Sequence, residues 1–384
     1  MHALAYAAKF GLGFLKSHES HGPTSPSIII LGGRKLTSGE IDRISDETDL
    51  ARKMMTDDAR PVVLTEAWKS PDAERLDRLS TADWISGLKM SQLAKDLLSN
   101  GLASNNGAAT AKQSYLGNLA QVKGGGLEKY WSDSEAFRVR GGNQQVALRF
   151  ARELGDQRLT LNCPVKEIKT NDEGVVVTDS EGRQHEADDV VLAIPPSTWL
   201  TIKFAPALPE MLKPHMGTSA KYIAATKDHF WREAKIPAQG TSDADINQIW
   251  EGTTGQGDHG AGGLIAFTSG PSAEVCHHRP VAEQAPAYLK AFEALMPGFN
   301  ANFLKGRFID WLGEPWTRAG YSFPAPGQVT TIGPILRQGI GHLHFAGEHT
   351  CYDFVGYMEG ALTSGASLAK RLATRDGLVP ANTK

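Results

Sequence analysis

The chain has 384 residues, 41% of them hydrophobic and 22% charged, with 40 glycines and a formal net charge of −3. That length can bury a large core and predicts two interleaved domains, while the near-neutral charge argues against nucleic acid or an anionic membrane as partner. No apolar run approaches the ~18 residues of a membrane span. Three cysteines without metal or redox spacing, Cys163, Cys276 and Cys351, read as reduced thiols, so a cytoplasmic location is expected.

In chain order, residues 2 to 15 read as an amphipathic helix with Leu4, Ala8, Leu12 and Leu15 on one face. Lys9 interrupts the apolar run, and no basic flank or cleavage site marks a signal peptide. A Ser/Pro/Gly-rich link, residues 20 to 27, leads to a short strand, Ile28 to Leu31, closed by Gly32-Gly33. Helical patterning dominates from Ser38 to Leu102, with Thr81 or Asp83 as a capping candidate. Residues 103 to 130 are small, polar and glycine-rich, which predicts a loop. A strand and turn, Arg138 to Asn143, then feed a helix from Gln144 to Leu154. Leu159 to Lys169 predicts a strand, Val175 to Val177 a hairpin arm, and Asp189 to Ile194 another strand before Pro195-Pro196. Strands and helices alternate to about Trp311.

The closing unit is the most informative. His344-Phe345-Ala346-Gly347-Glu348-His349-Thr350 and Gly356-Tyr357-Met358-Glu359-Gly360-Ala361 predict a strand, a Gly-Glu turn and a helix from about Gly356 to Leu372. This places a carboxylate on the turn and free N–H groups at a helix mouth, which favours electron-rich ligand edges. The unit resembles the flavin-binding C-terminus of the flavin-containing amine oxidases, the monoamine oxidase family. Further blocks carry the resemblance in register: Arg138 to Gln145, Pro164-Val165, Ala193 to Pro196, Gly217 to Lys221 ahead of Phe230-Trp231, and Trp311 and Trp316 before Gly320-Tyr321.

The resemblance implies an α/β fold: a Rossmann-like FAD-binding domain of the amine oxidase type, interleaved with a mixed-sheet and helix substrate domain. The expected segments are a mostly helical substrate-side segment (1–135), a FAD-domain segment (136–200), a substrate domain (201–318) and a closing FAD-domain segment (319–384). It implies Tyr321 and Tyr357 as an aromatic cage for the amine and Lys221 as a residue holding water against the flavin. Val165, Trp316, Gly347, Glu348 and Met358 are the implied cofactor contacts, with Glu348 accepting from ribityl or ribose hydroxyls. The implied reaction is FAD-dependent oxidation of a small amine to an imine and then a carbonyl compound, with O2 reduced to hydrogen peroxide. A homo-oligomer stays open as an expectation.

Two departures stand out. Gly320 takes the place of the cysteine that binds flavin covalently in some members, so the FAD is expected to be non-covalent. Met1 aligns beyond the family's opening strand, G-x-G-x-x-G turn and helix, so an N-terminally truncated chain is expected, with an FAD-free remnant of structural or binding role as the alternative. A literal G-x-G-x-x-G spans Gly255 to Gly260. It follows a loop and precedes a strand, and so reads as a hairpin tip rather than a phosphate cradle. His342, His344 and His349 lack a third ligand at suitable spacing, and no metal is expected.

Overall fold

The computed structural model describes residues 2–16, 27–255 and 260–380. The strands in chain order are β1 (Phe14–Lys16), β2 (Ile28–Leu31), β3 (Arg34–Lys35), β4 (Phe137–Val139), β5 (Val165–Asn171), β6 (Gly174–Asp179), β7 (Gln184–Ala187) and β8 (Val190–Leu192). There follow β9 (Lys203–Ala205), β10 (Ser219–Thr226), β11 (Gly240–Ser242), β12 (Gln248–Glu251), β13 (Gly262–Ser269), β14 (Phe303–Asp310) and β15 (Leu343–Phe345). They form a seven-stranded sheet in the order β14-β10-β13-β12-β11-β2-β3, a four-stranded sheet β7-β6-β5-β9, and the pairs β15-β8 and β1-β4.

The first half of the chain is helical, with α1 (His2–Lys9), α2 (Ser38–Ala59), α3 (Ala73–Arg78), α4 (Thr81–Gly87), α5 (Gln92–Asn106), α6 (Tyr115–Gly124) and α7 (Tyr130–Asp133). Helix α2 starts at Thr37 because a full capping box forms there, Thr37 and Glu40 each satisfying the other's backbone N–H. Its buried stripe, Ile44, Thr48, Ala51, Met55 and Ala59, recurs at helical spacing. The cap of α4 is Ser80, one residue before Thr81 and three before Asp83.

Two expectations are corrected. The predicted helix over residues 2 to 15 ends at Lys9, and the chain turns at Gly11 (φ +63°) into β1. The predicted loop over 103 to 130 instead contains α6, buried from Tyr115 to Val122. Its small residues serve close packing rather than flexibility. A Cβ on Gly117 would lie 2.6 Å from Pro324, and one on Gly124 would fall onto the Asp353 carbonyl. Around α6 gathers one core, including Met55, Leu98, Leu119, Phe323 and Val355.

Strand β10 lies inside the large sheet, antiparallel to both β13 and β14. Alternation sends Tyr222 and Ala224 into a second core with Trp231, Ile249 and Phe292, and Ser219 and Lys221 to the opposite face. The glycine run from Gly255 to Gly260 connects β12 and β13, which pair antiparallel, so its flanks are those of a hairpin. Residues 256–259 lie outside the described residues, as does most of the predicted link at 20 to 27.

Strands β8 and β15 pair in parallel over a third core that includes Trp199 and Leu336. Asp189 at their edge takes both Arg375 terminal nitrogens (3.0 and 2.5 Å) and the His344 ring (2.9 Å), with His342 at 3.5 Å. This clamp fastens the last turn of the closing helix, Met358–Arg375. The helix begins two residues after its expected start because Gly356 (φ +82°) and Tyr357 keep non-helical backbones. No described helix is long and apolar enough to cross a membrane.

Candidate active site

Tyr321 and Tyr357 come from segments far apart in sequence, and Glu348 ties them together. Its Oε1 accepts from the Ser322 N–H (3.0 Å), and its Oε2 accepts from the Ser322 hydroxyl (2.7 Å) and the Gly356 N–H (2.7 Å). Each tyrosine is thus one residue from a donor to the same carboxylate. Burial raises the Glu348 pKa, and those three bonds pull against the rise. Most of the acceptor capacity of the carboxylate serves the protein, leaving one lone pair on Oε1.

The Tyr321 hydroxyl donates to the carbonyls of Ser104 (3.1 Å) and Asn105 (2.9 Å) at the end of α5. Gly356 packs on its ring. A third tyrosine, Tyr130, interacts with Tyr357 and donates to Gln121 Oε1 at 3.2 Å. Gln121 in turn donates to the Val355 carbonyl at 2.8 Å. Burial raises all three phenol pKa values, that of Tyr130 to about 12. The pair therefore presents neutral rings, whose negative faces suit an amine.

Lys221 reaches this region through its own strand. Gly217, at the approach to β10, accepts from the Gly320 N–H (2.9 Å) and donates to the Tyr321 carbonyl (2.6 Å). A Cβ on Gly320 would lie 2.5 Å from the Ser219 hydroxyl. Two residues further along the same face, the Lys221 ammonium sits 5.5 Å from the centres of the Trp250 and Phe267 rings. It is half-buried on an internal strand, not on a solvated edge.

Gly347 (φ +133°) donates to the Ser364 hydroxyl at 2.9 Å, closing the turn onto the helix. The cap position Tyr357 offers no side-chain acceptor, and the Met358 side chain is 44% exposed. The first N–H groups of this helix have no intrahelical acceptor, and the cap residue supplies none. Tyr321, Tyr357 and Glu348 thus come together, with Gly347 and Met358 on the turn and helix start beside them, while Lys221 is joined to them through the Gly217 contacts with Gly320 and Tyr321. Val165 and Trp316 stand apart from that group: Val165 opens β5 and packs against the third core, and Trp316 is 67% exposed in the loop before Tyr321. Tyr130, Gln121, Ser322, Trp250 and Phe267 were missed. Tyr130 and Gln121 lie in the segment read as a loop, and the others join the site only through pairing across strands or bonds to Glu348.

The histidines serve elsewhere. Asp189 supplies the carboxylate that sequence spacing does not reveal for His342 and His344, but Arg375 occupies both its oxygens. Among the described residues the one grouping with metal-like geometry is Cys163, Asp179 and His185. There the Arg183 guanidinium bonds Asp179 at 2.7 Å.

The scaffold is α/β, with a mixed seven-stranded sheet and a tyrosine pair beside a helix mouth. The model of the flavin containing amine oxidoreductases matches residues 2–373, and the chain belongs to that family. AofH of Mycobacterium tuberculosis is 30% identical over 325 residues, covering 82% of this chain and 70% of its own. Flavin-containing amine oxidase B of Canis lupus familiaris is 29% identical, with 85% of this chain covered and 65% of the relative, so the chain spans just under two thirds of that protein's length. A putrescine oxidase redesigned at its cofactor site superposes with a TM-score of 0.86 at 25% identity, covering 97% of this chain and 86% of that one. The four segments outlined from the sequence remain our proposal for its domain organisation.

Proposed function

We propose that the protein oxidises a small primary amine, using a non-covalently held FAD and O2. The observation that carries this reading is the Tyr321–Tyr357 pair, held by one carboxylate beside Lys221 and the open helix mouth. When bound, the flavin supplies the two-electron acceptor. The Met358 N–H and the helix dipole offset negative charge at the ring edge, and the free lone pair of Glu348 accepts a hydroxyl. Val165 and Trp316 are proposed as contacts with more distant parts of the cofactor. Gly320 supports non-covalent binding, because it offers no thiol and Ser219 leaves no room for a side chain there.

On the substrate side, the neutral rings of Tyr321 and Tyr357 orient the amine nitrogen, and Lys221 holds a water through its ammonium. The amine loses two electrons and two protons to become an imine, and O2 gains both to become hydrogen peroxide. Water then releases the carbonyl compound and ammonia. The test is the visible spectrum of the protein after incubation with FAD and desalting, followed by anaerobic amine addition and a peroxidase-coupled assay. Retained flavin that bleaches with amine and yields peroxide in air is the expected result. A protein that never retains FAD overturns the reading and leaves a structural or binding role.

A further inference from the structure

We infer that Cys163, Asp179 and His185 bind a Zn2+ ion, which fastens the entrance of β5 to the β6-β7 hairpin. This site is separate from the tyrosine pair and does not depend on amine oxidation. Strand pairing brings the three residues together. Asp179 ends β6 opposite Val165 at the start of β5, and Cys163 lies two residues before Val165. His185 pairs with Val177 on β7. The Ser180 N–H donates to the Pro164 carbonyl (2.7 Å), and the Asp179 N–H to the Arg183 carbonyl (3.0 Å). The backbone around the ligands is therefore held on both sides, as a preorganised site requires.

The donor geometry fits the ion. Cys163 Sγ lies 3.4 Å from Asp179 Oδ2, His185 Nε2 lies 3.3 Å from the same oxygen, and all three ligand atoms fall within 4.8 Å of one another. Tetrahedral Zn2+, with bonds of about 2.0–2.3 Å, separates its ligands by roughly 3.3–3.5 Å, so one ion can bridge the three. Thiolate, imidazole and carboxylate together favour zinc over magnesium or calcium, and water completes the fourth position. The carboxylate is oriented in advance: Oδ1 accepts the N–H groups of Glu181 (2.9 Å) and Arg183 (3.0 Å), which leaves Oδ2 facing the sulfur and the ring. Arg183 Nε now neutralises Oδ2 at 2.7 Å. Its side chain is half exposed and also reaches Glu181 at 3.1 Å, so it can yield to a doubly charged ion and keep a carboxylate partner. As the Zn–S bond forms, the Cys163 thiol gives its proton to solvent, and the His185 ring holds its own on Nδ1. Asp179 is buried, whereas Cys163 is partly and His185 half exposed, which leaves the ion a way in.

The test uses the tag-free full chain, freed of metal with a chelator and kept reduced with a phosphine. Calorimetry titrates Zn2+ into wild type, Cys163→Ser, His185→Gln and Arg183→Ala. Wild type should take up an equivalent of Zn2+ that Cys163→Ser and His185→Gln each bind at least about tenfold more weakly. Arg183→Ala should bind it about threefold more tightly or better, since no guanidinium then competes for Oδ2. X-ray absorption of the zinc-loaded protein should show one sulfur at about 2.3 Å beside nitrogen and oxygen ligands at about 2.0 Å. Zinc should also protect Cys163 from alkylation, read by mass spectrometry, Cys276 and Cys351 being buried. Thermal unfolding checks that the metal-free variants fold, and excess Zn2+ should raise the midpoint of wild type but not of Cys163→Ser. No uptake by wild type, or uptake that survives unchanged in Cys163→Ser or His185→Gln and so belongs to other histidines, overturns the inference. A zinc environment without sulfur, or an affinity that does not rise in Arg183→Ala, overturns it as well.

Discussion

The backbone of Gly356 lies against the ring of Tyr321: a Cβ there would be 3.1 Å from Tyr321 Cδ2, and φ is +82°. Any other residue at 356 meets both a strained backbone and the ring. Gly356→Ala should lower stability by about 1–2 kcal/mol. Near-ultraviolet circular dichroism should also change as Tyr321 moves. Unaltered melting and an unaltered tyrosine signal would show that the contact has slack.

Glu348 receives three donors and offers none. In Glu348→Gln, one of the positions facing those donors becomes an NH2, so at least one buried donor loses its acceptor, at about 1–3 kcal/mol. Loss of the tie should also let the two tyrosine segments separate. We expect kcat to fall more than tenfold, with a lower thermal midpoint. Restored packing without restored activity in a second-site revertant would argue that Glu348 acts on the cofactor as well as on the loops.

A Cβ on Gly320 would lie 2.5 Å from the Ser219 hydroxyl and 3.1 Å from its backbone N. Gly320→Cys should therefore destabilise by roughly 1–3 kcal/mol without trapping flavin covalently. Acid precipitation should leave the flavin in the supernatant. A yellow precipitate would contradict the crowding seen here.

Lys221 touches Trp250 and Phe267 through cation–π contacts, each of about 0.5–1 kcal/mol at most on a half-exposed strand. Lys221→Met preserves much of the stem packing, so stability should change by less than about 1 kcal/mol. If the ammonium holds water at the flavin, turnover should drop at least tenfold. Stopped-flow measurement of reoxidation by O2 separates that role from amine binding.

Asp353 and His349 bias stability in opposite directions with pH. Burial lifts Asp353 from 3.8 to about 6 and depresses His349 from 6.5 to about 4. Folded Asp353 holds its proton more tightly than unfolded Asp353, so its contribution is present below pH 3.8 and is lost as pH rises through about 6. The His349 contribution is present above pH 6.5 and is lost as pH falls through about 4. In Asp353→Asn stability should rise more steeply than in wild type between pH 4 and 6.5, by about 1–3 kcal/mol. Urea melts at four pH values would check this, and a variant curve parallel to wild type would refute it.

The closing unit was readable in sequence because its signals are local. The short apolar strand before Gly347 and the small-residue helix after Gly356 each depend on neighbours a few residues away. The family blocks placed Lys221, Tyr321 and Tyr357 for the same reason: each lies inside a short motif. The buried helix α6 was not readable, since Gly117, Ala120 and Gly124 suggest a loop until Pro324 and Asp353 are packed against them. Composition cannot tell flexibility from close approach.

What the amino-acid sequence determined by itself was the family and the class of fold. Only the tertiary structure decided how Tyr321 and Tyr357 are held: one carboxylate joins Ser322 to Gly356, and Ser219 closes off Gly320. Glu348 and Ser322 are 26 positions apart in the chain and Ser219 and Gly320 are 101 apart, and no local pattern encodes these relations. They arise when separate cores bring the segments together, and there burial and hydrogen-bond geometry decide which groups have partners.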